Sequence, residues 1–192
     1  MTTPIVLAVM LSGKGSNAKN LILRSIEESD LFIGLIVSTR PNEELEHFCR
    51  DRKIPFKCIS PWDSFLALQF LQDHAVHYVI LAGFLKKITP EILQAFPKRI
   101  LNLHPSLLPK YGGKGMFGIH VHRKVLENRE SESGITIHLV NEAYDEGKIL
   151  AQFSCFVSPE DSAESLEKKI QQLEMAHFPE VVFRYCKASF KC

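Results

Sequence analysis

The stretch Ile5-Val-Leu-Ala-Val-Met-Leu11, followed by Ser12-Gly-Lys-Gly-Ser-Asn17, decides the fold that this sequence predicts. A continuous apolar run is typical of a strand that is covered on both faces, as at the centre of a parallel sheet. The residues after the glycine loop predict a helix from Ala18 to Glu28. Strand, glycine loop and helix form a geometry that binds anions, because glycines allow close approach and the helix N-terminus offers free N–H groups.

The glycine loop also matches a dinucleotide-binding pattern in part. Gly13, Gly15 and Ala18 fit the loose pattern GxGxxA. The second apolar strand, Phe32–Ser38, is followed by Thr39-Arg40, however, and not by the acidic residue that would bind a ribose. A nucleotide-binding module without enzymatic activity is therefore one interpretation of the sequence, and the missing acidic residue counts against it.

Strands and helices continue to alternate along the chain. Apolar runs predict three further strands, at Phe56–Ile59, Tyr78–Ala82 and the segment that ends at His104. Ser60-Pro61-Trp62-Asp63 predicts the start of the helix that follows the third strand, with Ser60 as the N-cap. Alternation of this kind is typical of an α/β fold with a mainly parallel sheet.

The C-terminal part predicts two more strands and a long helix. The strands are expected at Gly134–Val140 and at Ile149 to about Val157. The helix is expected to begin near Ser162 and to be bent or interrupted at Pro179. The complete prediction is one α/β domain over residues 1–192, doubly wound and Rossmann-like, with about seven strands and an active site at their carboxyl ends.

The composition excludes several classes of protein. Of the 192 residues, 45% are hydrophobic and 23% charged, and the net charge of +1 argues against nucleic acid or a membrane surface as a partner. The five cysteines form no CxxC pair, which favours reduced thiols and a cytoplasmic location. No metal is expected, since HExxH is absent and His120 and His122 would lie on different faces of a helix.

Two polar side chains close the fifth predicted strand. Asn102 and His104 are two residues apart, so they share a face, and Pro105 ends the strand directly after them. Ligands of parallel sheets bind outside the carboxyl ends of the strands, where the glycine loop and Gly83–Ile88 also fall. An amide and an imidazole beside an anion-binding loop suit acyl transfer without a covalent enzyme intermediate, because both can stabilise an oxyanion.

Four segments give the sequence a resemblance to a known family. Ser12–Asn17, Leu81-Ala-Gly-Phe84, Asn102-Leu-His-Pro-Ser-Leu-Leu-Pro109, and Gly134–Val140 with Asp145 and Gly147 resemble the folate-dependent formyltransferases. The resemblance covers nearly the whole chain. It implies transfer of a formyl group from 10-formyltetrahydrofolate, as co-substrate, to the amine of 5'-phosphoribosylglycinamide in purine biosynthesis, through a tetrahedral intermediate.

The same resemblance implies the roles of individual residues. Asn102 would hold the formyl oxygen and His104 would stabilise the oxyanion as a cation. Asp145 would keep His104 protonated and assist proton transfer. The residues implied to bind the phosphoribosyl substrate are Gly15, Ser16, Asn17, Gln171 and Glu174. The residues implied to bind the folate are Leu85, Lys86, Lys87, Ile88, Asn102 and Glu142.

Three features depart from the family's pattern. The family often carries an arginine that helps to hold the folate, yet no arginine occurs between Arg52 and Arg99. Lys14 replaces a commonly neutral residue and would add a contact to the phosphate. The glycine-rich segment Gly112–Gly118 is longer than in the enterobacterial type of enzyme and is expected to be a mobile surface loop.

The resemblance leaves some assignments open. A formyltransferase that acts on another amine, such as a nucleotide amino sugar, would use the same catalytic residues. Small molecules are the only partners implied, and the expected state is a monomer or a weak homodimer.

Overall fold

Residues 3–190, which the computed structural model describes, form seven strands and six helices. The strands are β1 Ile5–Leu11, β2 Leu31–Ser38, β3 Phe56–Cys58, β4 Tyr78–Ala82, β5 Ile100–His104, β6 Glu132–Leu139 and β7 Ile149–Phe156. The helices are α1 Ser16–Ser25, α2 Glu43–Arg50, α3 Ser64–Asp73, α4 Pro90–Ala95, α5 Ile119–Glu127 and α6 Ala163–Ser189.

The strands form one mixed sheet in the order β3-β2-β1-β4-β5-β6-β7. The first five strands pair in parallel, whereas β6 runs antiparallel to both β5 and β7. The predicted α/β fold with a mainly parallel sheet of about seven strands is therefore confirmed. The order reverses direction between β1 and β4, and such a switch point opens a crevice at the carboxyl ends of the strands. The glycine loop follows β1 and Gly83–Ile88 follows β4, so both segments border this crevice.

Apolar side chains on both faces of β1 explain why its sequence is continuously hydrophobic. Leu7 and Val9 join the larger core cluster, which includes residues of α1 and α6. Ala8 and Met10 join the second cluster, on the opposite face, which includes residues of α3 and α4. All four side chains are fully buried. Since apolar burial is the main stabilising contribution to folding, β1 holds the two layers of helices together.

Two local predictions were wrong. The third helix begins at Ser64 with Asp63 as its N-cap, not Ser60, and Asp63 Oδ1 accepts hydrogen bonds from the backbone N–H groups of Phe65 and Leu66 at 2.9 and 3.1 Å. Aspartate is as good an N-cap as serine, so the sequence around position 60 offered two starting points. The last helix also continues through Pro179 without interruption.

The continuity of α6 has a packing explanation. Pro179 is buried, and its neighbours Phe178, Val181 and Val182 belong to the larger core cluster. Burial of these side chains outweighs the backbone hydrogen bond that proline removes. The helix is long but rich in charged residues, and no helix within residues 3–190 is long and apolar enough to cross a membrane.

The corrected N-cap gives a prediction about stability. Replacing Asp63 by alanine removes the acceptor for two backbone N–H groups, so we expect Asp63→Ala to lower the free energy of unfolding by about 1 kcal/mol. Urea unfolding followed by circular dichroism measures this difference. Ser60→Ala is the matched control and should change stability by less than about 0.5 kcal/mol. A larger loss for Ser60→Ala than for Asp63→Ala would contradict the assignment of the cap.

Candidate active site

The glycine loop turns the chain sharply from β1 into α1. Gly15 is the N-cap of α1 and has φ of +84°, a left-handed conformation that favours glycine. A Cβ at Gly15 would lie 2.7 Å from a Leu45 side-chain carbon, so any larger residue at this position would also have to displace the Leu45 side chain. No side chain caps the first N–H groups of α1. These groups and the helix dipole are therefore available to an anion.

A buried hydroxyl connects the glycine loop to the segment that follows β4. Ser12 Oγ accepts a hydrogen bond from Thr39 Oγ1 at 2.8 Å and another from the backbone N–H of Leu85 at 3.1 Å. The backbone N–H of Ser12 donates to the carbonyl of Gly83 at 3.0 Å. The two segments at the switch point of the sheet are thus held against each other.

One cavity of about 560 Å³ lies at the carboxyl ends of the parallel strands. Its volume lies within the range usual for small-molecule sites. Every residue that the sequence or the family resemblance singled out as a site residue lines it: Gly15, Ser16, Asn17, Leu85, Lys86, Lys87, Ile88, Asn102, His104, Glu142, Asp145, Gln171 and Glu174. Residues distant in sequence are therefore brought together as predicted, while their individual roles remain predictions.

Asn102 is oriented by a histidine on the neighbouring strand. In the antiparallel pair of β5 and β6, Asn102 lies opposite His138. The Nδ2 of Asn102 is 3.0 Å from His138 Nε2, and His138 Nδ1 is 2.9 Å from the carbonyl oxygen of Leu139. His138 Nδ1 therefore carries the proton and Nε2 accepts a hydrogen from the amide. The amide also donates a longer bond, of 3.4 Å, to Asp145 Oδ1.

His104 is buried beside the carboxylate of Asp145. Its Nε2 lies 2.8 Å from the carbonyl oxygen of Tyr111 and must donate there, while its Nδ1 lies 3.5 Å from Asp145 Oδ2. Burial lowers the pKa of His104 more than the charge of Asp145 and the Tyr111 carbonyl raise it. The net pKa of His104 therefore lies below the ordinary value for histidine. Asp145 acts in the direction that the family resemblance implies, whereas burial opposes it, and the role of His104 as a cation remains a prediction.

Asp145 sits in the turn between β6 and β7 with its backbone in the left-handed region, at φ of +58°. Its Oδ2 accepts a hydrogen bond from the Gly113 N–H at 2.8 Å, and its Oδ1 lies 3.6 Å from His138 Nε2. Burial raises the pKa of Asp145, but nearby groups that include the Gly113 N–H lower it more, and the net pKa is below the usual value. Asp145 is therefore an anion at neutral pH.

The end of this turn leaves no space for a side chain. A Cβ at Gly147 would lie 1.7 Å from the carbonyl oxygen of Leu139. The turn that carries Asp145 consequently closes directly against the end of β6.

The glycine-rich segment Gly112–Gly118 forms part of the cavity wall. Gly113, Lys114, Gly115, Met116, Phe117 and Gly118 all line the cavity. Because the Gly113 N–H holds Asp145, one end of this segment is attached to the site. The expectation of a surface loop is met for Lys114, Gly115 and Phe117, which are exposed, and its mobility remains a prediction.

The polar end of the cavity contains a partly buried carboxylate. Glu174 Oε2 accepts a hydrogen bond of 2.8 Å from Asn17 Nδ2, which joins α6 to the glycine loop. Burial raises the pKa of Glu174, the neighbouring Glu167 adds to this, and the bond from Asn17 opposes it. Lys14 lines the same cavity. A cation and hydrogen-bonding groups thus accompany the free N–H groups of α1.

The other end of the cavity, where the folate residues are predicted, includes the apolar side chains of Leu85 and Ile88. Leu85, Lys86 and Lys87 are exposed, whereas Ile88 is buried. The Nζ of Lys87 lies 5.7 Å from the centre of the Tyr144 ring, which follows Glu142 in the same turn. Within residues 3–190, no group of three or more histidine, cysteine, aspartate or glutamate side chains is arranged to hold a metal ion.

Sequence reasoning missed His138 and the backbone groups of Tyr111 and Gly113. The alternation of β6 placed His138 and Thr136 on one face, but the partner of that face was unknown. Knowledge that β5 pairs with β6 would have been needed to place His138 opposite Asn102. No sequence signal identifies the Tyr111 carbonyl or the Gly113 N–H, since both are backbone groups that depend on the path of the loop.

Comparison with known proteins agrees with this geometry. The model of the family described as "Formyl transferase" matches residues 6–182. A chloroplastic phosphoribosylglycinamide formyltransferase of Arabidopsis thaliana is 41% identical over 96% of this chain. The chain spans 66% of the length of that protein and 61% of a Vigna unguiculata relative with the same name. A phosphoribosylglycinamide formyltransferase of Haemophilus influenzae is 32% identical, covering 92% of this chain and 84% of the relative.

Solved structures agree in fold as well. A crystal structure of glycinamide ribonucleotide transformylase 1 from Symbiobacterium toebii, 30% identical, superimposes with a TM-score of 0.85 and covers 98% of this chain and 91% of the other. A phosphoribosylglycinamide formyltransferase structure from Bacillus halodurans, 27% identical, gives a TM-score of 0.86 over 96% of this chain and 97% of the other. The family predicted from the sequence is confirmed: this chain belongs to the formyl transferase family.

Proposed function

We propose that the protein transfers a formyl group from 10-formyltetrahydrofolate to the amine of 5'-phosphoribosylglycinamide, a step of purine biosynthesis. The observation that carries this proposal is a single cavity that holds both an anion-binding loop and the cluster of Asn102, His104 and Asp145. Membership of the formyl transferase family supports the reaction. The names of the relatives from Arabidopsis thaliana and Haemophilus influenzae support the acceptor.

The polar end of the cavity suits the phosphoribosyl group. The free N–H groups of Gly15, Ser16 and Asn17 would bind the phosphate at the N-terminus of α1, with Lys14 adding a positive charge. The carboxylate of Glu174 is an acceptor without a proton of its own to give, so it would bind ribose hydroxyls. Gln171 lies one turn before Glu174 on the same helix and lines the same end.

The apolar end suits the pterin of the folate. Leu85 and Ile88 would contact its ring, and the turn from Glu142 would cover it. Lys86 and Lys87 are the exposed cations on this side, in a chain segment without arginine from position 53 to 98. The folate would therefore place its formyl group toward the end of β5.

The chemistry needs a donor for the oxygen of the formyl group. Attack of the amine on the formyl carbon turns the carbonyl oxygen into an oxyanion, and a fixed N–H donor lowers the energy of that state. One hydrogen of the Asn102 amide is held by His138 at 3.0 Å. The other makes only the 3.4 Å contact to Asp145, so it is the hydrogen that Asn102 would give to the oxyanion.

One proton must move during the reaction. The attacking amine loses a proton and the leaving nitrogen of the donor gains one. His104 Nδ1 has a lone pair that faces Asp145 Oδ2 at 3.5 Å, because its Nε2 proton is held by Tyr111. Nδ1 can therefore take up the proton, and the charge of Asp145 stabilises the imidazolium that results. The cation would form during the reaction and then stabilise the oxyanion.

An assay of acceptors tests the proposed function. The purified protein is incubated with 10-formyltetrahydrofolate and, in separate reactions, with 5'-phosphoribosylglycinamide or a nucleotide amino sugar. We expect turnover only with 5'-phosphoribosylglycinamide, because the loop at α1 fits a terminal phosphate. Turnover with the nucleotide amino sugar alone would replace the acceptor but keep the reaction. Retention of a nucleotide without any formyl transfer would favour a binding module.

The oxyanion role of Asn102 predicts a large loss of rate. We expect Asn102→Ala to lower kcat by about 100- to 1,000-fold, on the order of 3 kcal/mol of transition-state stabilisation, because the donor is removed. Steady-state kinetics measure the change. Asn20→Ala is the matched control, since Asn20 lies on α1 and donates to the Met175 carbonyl outside the cavity. An Asn102→Ala enzyme with the wild-type rate would remove Asn102 from this role.

The pairing of His104 with Asp145 predicts a shift in titration. Replacing Asp145 by asparagine removes a negative charge that stabilises the imidazolium, so the pKa of His104 should fall further below its ordinary value. NMR titration of the His104 ring in the wild type and in Asp145→Asn measures this fall. Asp73→Asn changes an exposed carboxylate at the end of α3 and should leave the titration unchanged. Equal pKa values in the wild type and Asp145→Asn would show that the two groups are not coupled.

A further inference from the structure

One buried histidine of the cavity has no role in the chemistry described above. His122 lies on α5, is 2% exposed, and lines the cavity. Its Nδ1 is sealed from solvent and has no hydrogen-bond partner among residues 3–190. Leaving a buried polar atom unpaired is unfavourable, so a histidine that serves only to fill space would be a poor choice here.

Three other histidines differ from His122 in this respect. His104 donates to the carbonyl of Tyr111, and His138 uses both ring nitrogens. His77, which is half-buried and does not line the cavity, accepts a hydrogen bond of 2.9 Å from the Val6 N–H. In each case at least one ring nitrogen has a hydrogen-bond partner within the protein. The ring of His122 is left for another partner.

The sealed Nδ1 indicates which ring nitrogen of His122 carries the proton. A buried N–H without an acceptor is rarer in proteins than a buried lone pair without a donor. The proton of His122 is therefore on Nε2, and Nδ1 carries the lone pair. Nε2 is not among the sealed unpaired atoms and makes no hydrogen bond within residues 3–190, so we infer that Nε2–H is the polar group of this residue that is open to the cavity. Burial lowers the pKa of His122 to about 4, so the ring is neutral at pH 7 and acts as an uncharged donor.

The position of His122 indicates which substrate it faces. α5 packs against α6, and α6 lines the cavity with Glu167, Ile170, Gln171 and Glu174. Glu174 is bonded in turn to Asn17 of the glycine loop. This wall therefore leads to the polar end of the cavity. The predicted folate residues come instead from the end of β4 and from the turn before β7.

We propose that His122 is a substrate-binding residue whose Nε2–H donates a hydrogen bond to an oxygen of the phosphoribosyl group. This inference rests on the proposed function, which supplies the identity of the acceptor substrate. A neutral donor suits either a ribose hydroxyl or a phosphate oxygen, and both belong to the same half of that substrate. The bond from Nε2–H to the substrate gives a reason for a histidine at this buried position, although Nδ1 itself stays sealed and unpaired.

Three substitutions at His122 test the proposal. His122→Leu removes both nitrogens, His122→Gln keeps an amide N–H near the position of Nε2, and His122→Asn places its amide near the sealed Nδ1. We expect His122→Leu to raise KM for 5'-phosphoribosylglycinamide about tenfold, with kcat and KM for 10-formyltetrahydrofolate changed less than about twofold. The glutamine variant should recover most of the affinity, and the asparagine variant should not.

The unfolding temperature of the variants distinguishes a binding role of His122 from a structural role. Since the ring of His122 satisfies no protein group, His122→Leu should unfold at the wild-type temperature or above it. His77→Leu is the matched control: it removes the acceptor of the Val6 N–H, so it should lower the unfolding temperature and leave both KM values unchanged. Calorimetric titration with ribose 5-phosphate adds a readout without turnover, and its Kd should rise about tenfold in His122→Leu.

The outcomes that would overturn the proposal are distinct from a failure of the proposed function. Unchanged KM and Kd values in His122→Leu, or a rise in KM for the folate alone, would remove His122 from the phosphoribosyl site. If His122→Leu does not fold, the asparagine variant decides. Equal KM values for 5'-phosphoribosylglycinamide in the wild type and His122→Asn would also remove His122 from the phosphoribosyl site. A wild-type protein that does not formylate 5'-phosphoribosylglycinamide would instead reject the proposed function, whatever the variants do.

Discussion

The antiparallel pairing of β5 with β6 is the interaction on which the site depends. It places Asn102 opposite His138 and His104 opposite Thr136, so the two polar residues of β5 have partners on the adjacent strand. The chain then turns and returns as β7, and this turn carries Asp145 back over the end of β5. A parallel neighbour would have needed a long crossover and would have carried the next turn to the opposite edge of the sheet.

Burial changes the pKa of His104 more than its pairing with Asp145 does. His104 is 4% exposed, and removing its ring from water disfavours the charged form more strongly than Asp145 favours it. Burial disfavours the imidazolium of His104 at rest, and the carboxylate of Asp145 favours it when the reaction supplies a proton. The arrangement therefore suits a transient charge better than a permanent one.

The sequence predicted most of the fold because its signals were local and strong. The apolar run of β1, the glycine loop and the strand ending at Pro105 each decide their own structure. The family resemblance of the sequence predicted which residues form the site, and all of them line the cavity. It could not predict the cap of α3, where Ser60 and Asp63 compete, or the course of α6 past Pro179, which depends on distant packing. Nor could it predict His138 as the partner of Asn102, because strand pairing is not local information.

The closure of the turn at Gly147 has a consequence for how this site tolerates change. Any side chain there would meet the carbonyl oxygen of Leu139 and would push the turn outward, away from β6. Asp145, two residues earlier, would move with it and lose its reach to both His104 and the Gly113 N–H. A position with no functional group of its own thus sets the distance at which the carboxylate works, and mutational sensitivity in this turn should follow backbone shape rather than charge.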